Sequence, residues 1–447
     1  MPFSTIAAIA SPPGTGAVAL IRISGAAAKL ISSRVFKGRS SSRWEPRRQH
    51  FGSFVNFKGE KLDEGLLTWF PGPDTFTGED VVELACHGGA LVTRRVLEAL
   101  WDAGAVPAES GEFSQRSFFN GRMDLTQAEA IMDLITAQTD LAIKAAGEQL
   151  EGRLGREIEA IRQHLVGILA QVEAHIDFPD EDIEPSSVWS LNESINSQIG
   201  LLNRLLATAD QGRLLREGLR TVICGPPNAG KSSLLNALLG SDRAIVSDQA
   251  GTTRDTIEEV INLKGIPLRL VDTAGIRENA GSVERQGIDR SRAQIAKADL
   301  VLLVVDASVA ATGLSGLEVP DGTELVRVFN KSDLPLHADW EGKEGVTVSC
   351  LEELSVEALK DHLYRVVTAG NGLEFSNLTA INARHQYCLR RAIPELEEAV
   401  HLLAIGESPE FVANRLHAAL DAVGEVVGKT DVEEILGEIF SQFCIGK

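Results

Sequence analysis

The sequence lacks several features that would place it in particular protein classes. No apolar run approaches the length of about 20 residues that a membrane-spanning helix needs, and the N-terminus has no basic stretch followed by an apolar core. The five cysteines contain no Cys-x-x-Cys pair, which argues against a disulfide framework and against a zinc site. We therefore expect a protein of a reducing compartment, cytoplasmic and without membrane association.

A positive net charge is also absent. With 63 Asp and Glu against 43 Lys and Arg, the chain carries −20 at pH 7, whereas proteins that coat nucleic acids are usually basic. An RNA partner must therefore meet a local basic patch or be shared with a second protein. The 447 residues, 44% of them hydrophobic and 24% charged, suffice for roughly two to four globular domains.

The pattern of apolar residues and turn residues divides the chain into four consecutive parts. Residues 1–120 alternate short strand-like runs with turns, interrupted by one helical stretch near 90–103, and predict a small α+β domain. Residues 121–217 and 370–447 show helical spacing of apolar residues, whereas residues 218–369 alternate strands and helices. This last part includes a predicted hairpin, in which Lys264 and Gly265 join the strands Glu258–Leu263 and Ile266–Val271. The simplest arrangement is a multidomain α/β protein in which a helical domain, discontinuous in sequence, carries an inserted Ras-like P-loop domain.

A phosphate-binding loop follows the first strand of the inserted part. The segment GPPNAGKS, residues 225–232, lies between the apolar strand Thr221–Cys224 and the helix Ser233–Leu239. Its glycines let backbone N–H groups wrap around phosphates, Lys231 reaches their charge, and the Ser232 hydroxyl ligates Mg²⁺. The strand–loop–helix setting removes most of the chance matches that such a motif has by itself.

Two further segments supply the phosphate and metal contacts of a GTPase. In GTTRD, residues 251–255, Thr253 is placed to complete Mg²⁺ coordination when a γ-phosphate is present. The segment DTAG, residues 272–275, ends an apolar strand, so that its carboxylate can hold the metal through water and the Gly275 amide can contact the γ-phosphate. A Thr-Thr pair by itself is usually a polar loop, so its assignment depends on these neighbours.

The segments that recognise the base come next in the chain. In NKSD, residues 330–333, the Asp333 carboxylate can accept two N–H bonds from the Watson–Crick edge of guanine, and adenine offers no matching pair of donors. Ser349 and Cys350 follow the strand Val346–Val348 and supply a backbone loop for the guanine carbonyl. The complete set in this order predicts a guanine-nucleotide-binding GTPase.

The residue that orients water in Ras-like switches is missing. Ile276 follows the DTAG segment where those proteins have glutamine, and isoleucine cannot orient the attacking water. Asn228 could instead present its side-chain carbonyl to a monovalent cation, which would neutralise charge as an arginine finger does. Glu284, just past the metal-binding aspartate, is a second candidate, although a lone Glu on a polar helix is more often simply solvated.

With these residues assembled, the chain resembles the MnmE (TrmE) family of GTPases, which modify the wobble uridine of certain tRNAs. The resemblance covers essentially the whole length. It rests on LIRISG at 20–25, FTGED at 76–80, HGG at 87–89, DLTQAEA at 124–130 and FCIGK at 443–447, besides the Asn-bearing phosphate loop. The terminal Cys-aliphatic-Gly-Lys together with an inserted GTPase domain is specific to this family.

The resemblance implies a folate-binding N-terminal domain that also dimerises, and a K⁺-dependent GTPase that is activated when two GTPase domains meet. It places Glu284 at the catalytic glutamate, K⁺ at Asn228, Ser247, Gln249 and Thr252, and Mg²⁺ at Ser232 and Thr253. It places folate at Arg22, Glu83, Arg122 and Lys447. Many members carry lysine where Arg122 stands, which keeps the charge but changes the donor geometry. The GTP contacts so implied are Asn228, Ala229, Gly230, Lys231, Ser232, Ser233, Ser247, Asp248, Gln249, Ala250, Gly251, Thr252, Thr253, Asp272, Thr273, Ala274, Gly275, Asn330, Lys331, Asp333, Ser349 and Cys350.

By the same resemblance, the reaction is shared with an FAD-containing partner, MnmG. A one-carbon unit from a tetrahydrofolate derivative, in the 5-formyl or methylene form, is placed on uridine C5, and glycine or ammonium supplies nitrogen. The product is an aminomethyl or carboxymethylaminomethyl group. The partner alone would bear FAD, and it would also make much of the tRNA contact. A partner of this kind fits the net charge of −20 on this chain. Cys444 is a candidate reactive thiol, and its chemical role stays open.

A regulatory GTPase of ribosome assembly, without group transfer, is the alternative. Such proteins commonly add a basic RNA-binding module after the GTPase domain, whereas here acidic helices follow it and an N-terminal domain with folate-like motifs precedes it, which favours the tRNA enzyme.

The tail 443–447 follows an apparent helix, Val432–Phe440. We expect this tail to dock on the N-terminal domain of its own or a partner chain.

Overall fold

The computed structural model describes residues 4–38, 44–177, 185–242, 259–271, 294–311, 319–370, 381–429 and 433–447. The chain separates into two compact units. The first unit consists of Met1–Met132, Leu150–Asp177 and Ala413–Lys447, and the second of Asp133–Gln149 and Phe178–Val412. Each unit is therefore assembled from pieces that are distant in sequence.

A sheet forms the centre of the first unit. Within the described residues its strands are β1 (Ile6–Ile9), β2 (Val18–Ser24), β3 (Phe36–Gly38), β4 (Gln49–Val55), β5 (Lys61–Phe70), β6 (Val81–His87) and β7 (Val106–Pro107). They stand in the order β3-β4-β5-β6-β2-β1-β7. Every neighbouring pair is antiparallel except β1 and β7.

The two faces of this sheet differ because side chains of a strand alternate between faces. On one face, Ile21 and Ile23 of β2 are buried in a core to which α1 (Ala28–Val35) and α2 (Ala90–Asp102) contribute. On the other face, Phe113 of α3 (Glu112–Phe119) packs against β1. The partly buried Arg22 of β2 belongs to this second face.

The remaining helices that the structure describes follow in chain order, most of them longer. They are α4 (Leu125–Thr136), α5 (Asp140–Leu150), α6 (Arg153–Asp177), α7 (Pro185–Leu206), α8 (Ala209–Glu217), α9 (Lys231–Asp242), α10 (Glu353–Gly370), α11 (Ala383–Ile405), α12 (Pro409–Val427) and α13 (Glu433–Ser441). In the first unit, Leu125, Ala128 and Ile131 of α4 form a core with Leu436, Phe440 and Phe443. No helix that the structure describes is long and apolar enough to cross a membrane.

A mostly parallel sheet forms the centre of the second unit. Its described strands are β8 (Leu219–Cys224), β9 (Glu259–Leu263), β10 (Ile266–Leu270), β11 (Leu300–Asp306), β12 (Glu324–Asn330) and β13 (Val346–Val348), in the order β13-β12-β11-β8-β10-β9. The pair β9–β10 is antiparallel, which confirms the predicted hairpin. Because the carboxyl ends of parallel strands meet at one edge, the loops after β8, β11, β12 and β13 lie near one another.

One expectation for residues 1–120 is wrong. A single helical stretch was expected, yet the described residues contain three helices there, α1, α2 and α3. The stretch near 90–103 is α2, as predicted. The other two helices have 8 residues each, which is too short for a periodic apolar pattern to stand out.

Candidate functional site

The phosphate loop connects β8 to α9, and two of its residues have backbone conformations that only certain residues adopt. Gly225 has φ +143°, and a Cβ there would lie 2.0 Å from the carbonyl oxygen of Val304. Asn228 has φ +62° and is exposed. Asparagine tolerates this left-handed conformation better than most residues do, so the loop can present the Asn228 side chain to solvent.

Lys231 closes the phosphate loop on itself. Its Nζ donates to the carbonyl oxygens of Gly225, at 3.0 Å, and of Pro226, at 2.8 Å. Burial lowers the pKa of Lys231, and the nearby Cys224 opposes part of that shift. The same burial raises the pKa of the Cys224 thiol to about 11, so Cys224 is an inert core residue at neutral pH.

The segment after β12 is bonded directly to the phosphate loop. Asn330 is 2% exposed, and its Nδ2 donates to the carbonyl oxygen of Ala229 at 2.8 Å. A Cβ at Gly230 would lie 2.0 Å from the same Nδ2, so glycine is required for this close approach. The Cys350 thiol donates to Asn330 Oδ1 at 3.2 Å. Three of the predicted nucleotide-contacting segments are thereby joined.

The two charged residues of this segment are oriented by neighbours. The Ser349 hydroxyl donates to Asp333 Oδ1 at 2.9 Å, and Asp333 is itself exposed. Lys331, with φ +63°, lies 2.5 Å from Asp306 Oδ2. An Asp333 carboxylate fixed on one oxygen and open to solvent can accept N–H groups from a base.

Asp306 is a site residue that the sequence did not reveal. Burial alone would raise the pKa of Asp306, but hydrogen bonds from Lys331 and Ser308 outweigh it and hold the pKa below its ordinary value. Asp306 therefore stays ionised and fixes the ammonium of Lys331. A usable signal was present, because the apolar run 300–305 ends in this aspartate at the carboxyl end of a parallel strand.

Part of the predicted nucleotide site cannot be placed. The residues concerned are Ser247, Asp248, Gln249, Ala250, Gly251, Thr252, Thr253, Asp272, Thr273, Ala274, Gly275 and Glu284, all of which lie outside the described residues. Ser232 and Ser233 are described and exposed at the start of α9. Of the predicted magnesium and potassium positions, the structure describes Ser232 and Asn228, and the water-orienting position Glu284 is outside it.

In the first unit, Arg22 and Glu83 form an ion pair across neighbouring strands. They are directly opposite in the β2–β6 register, and both Nε and Nη2 of Arg22 donate to Glu83 Oε1, at 3.0 and 2.9 Å. The guanidinium also lies over the rings of Phe76, at 5.7 Å, and Phe113, at 5.9 Å. The two predicted folate residues are therefore held together in a partly apolar setting.

The loop that carries Phe76 is fixed by a buried polar network that the sequence did not reveal. Arg116 is 1% exposed and forms ion pairs with Glu79, at 3.1 Å, and Glu112, at 2.7 Å. The Ser24 hydroxyl is within hydrogen-bond distance of Thr77 Oγ1, at 2.6 Å, and donates to Glu79 Oε2, at 2.7 Å. A buried arginine between two carboxylates holds the loop in one conformation, because breaking such a pair strands a charge.

Arg122 contacts the same loop from its other end. Its guanidinium lies 3.7 Å from Asp74, and its Cγ would lie 3.4 Å from a Cβ placed on Gly78. The side chain is 40% exposed. Residues 74–79 thus connect Arg122 to Arg22, because Phe76 of this loop lies against the Arg22 guanidinium.

The tail docks on the first unit of its own chain, as predicted. Ile445 forms an antiparallel bridge with Ser110. Gly446 has φ +96°, and a Cβ there would lie 2.3 Å from the carbonyl oxygen of Ile9. Ile9 follows Ala8, which is paired with Arg22 across strands β1 and β2. Of the two apolar residues of the tail, Phe443 is buried and Ile445 is not. Ile445 is 61% exposed, because it pairs through its backbone.

Two family models match this chain. The one described as "MnmE helical domain" matches residues 125–444, and "GTP-binding protein TrmE N-terminus" matches residues 5–122. The curated "tRNA modification GTPase MnmE" of Akkermansia muciniphila is 47% identical over 454 residues, covering 100% of this chain and 99% of the relative. The protein of that description from Ligilactobacillus salivarius is 42% identical over 456 residues, covering 100% and 98%.

A solved structure, the FeoB G-domain of Methanococcus jannaschii, overlaps 34% of this chain and 98% of its own length. The identity is 23% and the TM-score 0.24.

Proposed function

This chain belongs to the MnmE family of tRNA modification GTPases and is a GTP hydrolase that acts in tRNA modification. We propose that, with an FAD-containing partner of the MnmG type, it adds an aminomethyl or carboxymethylaminomethyl group to C5 of the wobble uridine of certain tRNAs. A tetrahydrofolate derivative supplies the carbon. The N-terminal domain binds this folate and dimerises, and the GTPase domain, residues 218–369, is inserted between helical parts 121–217 and 370–447.

The observation that carries the nucleotide part of this proposal is the hydrogen bond between Asn330 and Ala229. It joins the base-recognising segment to the phosphate loop at 2.8 Å. The Ser349 hydroxyl at the same time fixes one oxygen of the exposed Asp333 carboxylate. A nucleotide whose phosphates lie in the loop then has its base beside Asp333, where two N–H groups of guanine can be accepted.

Replacing Asp333 by asparagine is expected to weaken GTP binding about a hundredfold. Two charge-assisted hydrogen bonds of about 1.5 kcal/mol each are lost, and the new NH₂ group faces guanine donors. Xanthosine triphosphate, which has an acceptor at that position, should gain affinity. Titration with fluorescent nucleotides measures both effects. Asp321→Asn removes an exposed carboxylate elsewhere in the same unit and serves as the control. Unchanged GTP affinity in Asp333→Asn would contradict this role.

Two metal ions have assigned places in the proposal. Mg²⁺ is held by Ser232 and Thr253 and neutralises charge on the phosphates when bound. K⁺ is held by Asn228, Ser247, Gln249 and Thr252 and supplies the positive charge of an arginine finger. The left-handed backbone of Asn228 and the exposure of its side chain support its part in this set.

GTP hydrolysis is expected to be much faster in K⁺ than in Na⁺ at equal ionic strength, because carbonyl spacing selects the larger ion. Asn228→Ala should lose most of this stimulation. Since alanine at φ +62° is strained, Asn228→Gly is the matched variant, because it removes the side chain without that strain. Both should behave alike in steady-state phosphate release. Equal wild-type rates in the two salts would rule the potassium role out.

The folate part of the proposal rests on the first unit. Arg22 and Glu83 are paired, Arg122 is 40% exposed at the adjoining loop, and the tail that ends in Lys447 passes the carboxyl end of β1 at Ile9. Cations suit the carboxylates of a folate glutamate tail, and a carboxylate such as Glu83 can accept N–H bonds from a pterin ring. The buried Arg116 network supports this assignment by fixing the loop between Arg22 and Arg122.

The modification itself is tested by mass analysis of wobble uridines in tRNA from cells that lack the gene. Loss of the C5 substituent is expected, with restoration by the wild-type gene. Normal wobble uridines together with defective ribosomal particles would favour the ribosome-assembly alternative instead.

A further inference from the structure

The acidic chain contains one strongly basic segment. Residues 22–61 hold ten Lys and Arg but only two Asp and Glu, so this segment carries +8 within a chain of −20. All other parts together must then carry −28. A polyanion approaching this protein therefore meets repulsion over most of the sequence and attraction here.

The fold places part of this charge along the β3–β4 edge of the first sheet. The basic edge, as we call it, consists of Lys29 and Arg34 on α1, Lys37 on β3, Arg47 before β4, and Lys58 in the turn after β4. Strand β3 is the outermost strand, and its Lys37 pairs with Ser53 near that turn. Lys29 and Lys37 line the same concave surface, together with Trp44 and Pro46.

The five cations of the basic edge are not neutralised by carboxylates. Within the described residues none of them has a carboxylate oxygen within 4.0 Å, whereas their neighbours Arg48 and Lys61 are paired with Glu45 and Glu64. Arg34, Lys37 and Arg47 donate to backbone carbonyl oxygens instead. Their charges are therefore available to an external anion.

Two cations of the basic edge lie against aromatic rings. Lys29 Nζ lies 3.2 Å from the centroid of the Trp69 ring, and Lys58 Nζ lies 5.6 Å from that of Phe57. Phe57 is 77% exposed at the tip of the turn. Exposed rings beside cations give stacking platforms for bases next to phosphate contacts. An acidic protein partner would need the cations but not an exposed ring.

We propose that the basic edge binds the phosphate backbone of the tRNA substrate. This proposal rests on the proposed function, which supplies the RNA, and it adds the surface of this chain that RNA contacts. The acidic groups nearby are already engaged: Glu45 pairs with Arg48, Glu60 accepts from Asn56, and Asp80 accepts from the Gly72 amide. These carboxylates therefore do not cancel the positive charge of the basic edge.

The test compares two double variants with the same change of net charge. Lys37→Gln with Lys58→Gln removes two unpaired cations of the basic edge, and Arg48→Gln with Lys61→Gln removes two paired cations of the same segment. Binding of an unmodified tRNA transcript to the full chain is followed by fluorescence anisotropy between 50 and 200 mM salt. The first variant should bind about tenfold more weakly, with a salt slope lower by about 1.6. The control should stay within about twofold.

Several results would overturn the proposal. Equal losses in both variants would show a general charge effect, and no loss in either would show that RNA binds elsewhere. Since lysine on an edge strand also prevents strand-to-strand association, light scattering is run in parallel. A changed oligomeric state with unchanged tRNA affinity would assign the edge to a protein contact. GTP hydrolysis should be unaffected in both variants. Wobble-uridine analysis of the gene-deleted cells decides the proposed function independently of these titrations.

Discussion

Glu284→Ala is expected to lower the rate of GTP hydrolysis about a thousandfold while GTP affinity stays within about twofold of the wild type. A residue that orients the attacking water acts in the transition state and contributes little to ground-state binding. Ile276 cannot take that role, so no side chain at the usual position compensates. Single-turnover hydrolysis in K⁺ measures the first quantity, and fluorescent nucleotide titration measures the second.

Glu284→Gln is the informative companion to that variant. It keeps the size and hydrogen-bonding reach of the side chain but removes its charge, and a residue that only orients water should retain part of the rate. Glu344→Ala removes an exposed carboxylate that the structure places in the second unit and controls for the loss of charge. A Glu284→Ala protein that fails to bind GTP would mark Glu284 as structural and remove it from the mechanism.

Deleting residues 444–447 is expected to abolish tRNA modification and to weaken folate binding, while K⁺-stimulated GTP hydrolysis survives. The deletion removes the Ile445–Ser110 bridge and the backbone of Gly446 beside Ile9, and with them Lys447. Phe443 remains, so the buried core at the end of α13 is kept. Mass analysis of wobble uridines, isothermal titration with a folate, and phosphate release measure the three outcomes.

Cys444→Ser separates docking from thiol chemistry at the tail. Cys444 is free and exposed, so serine should leave the bridge between Ile445 and Ser110 intact. Lost modification with normal folate binding would assign the sulfur a reactive role. Full-rate modification by the deletion variant would make the tail dispensable.

Those parts of the fold that have a local signal could be predicted from sequence. The phosphate loop and the hairpin β9–β10 lie where glycine, apolar runs and turn residues indicated them. The order of the strands along the chain also predicts that Asn330 and Ser349 lie near the phosphate loop, because the carboxyl ends of parallel strands meet at one edge of the sheet. These features depend on residues close in sequence or on a topology shared by all such sheets.

Features that depend on long-range partners could not be predicted. Arg116 reads as an ordinary polar helix residue, yet it is buried because Glu79 and Glu112 neutralise it. Helix α5 shows an unremarkable apolar face, yet its Leu141 meets the turn of the β9–β10 hairpin, where a Cβ on Gly265 would lie 2.4 Å away. An amphipathic pattern states that a helix face is buried but not what covers it.

The core shared by α4 and α13 determines when the first unit can finish folding. This core cannot form until the ribosome has made Leu436, Phe440 and Phe443, about 300 residues after Leu125, Ala128 and Ile131. Closing so long a loop costs only about 2 kcal/mol more than closing one tenfold shorter, so the delay matters for time and not for final stability. During synthesis at about 5–20 residues per second, the described strands of the second unit's sheet and the helix α10 that packs against them are complete after Gly370, while Leu436, Phe440 and Phe443 have not yet been made. Nascent chains halted between these two points should therefore hold a folded nucleotide-binding sheet and an exposed α4 that chaperones can bind.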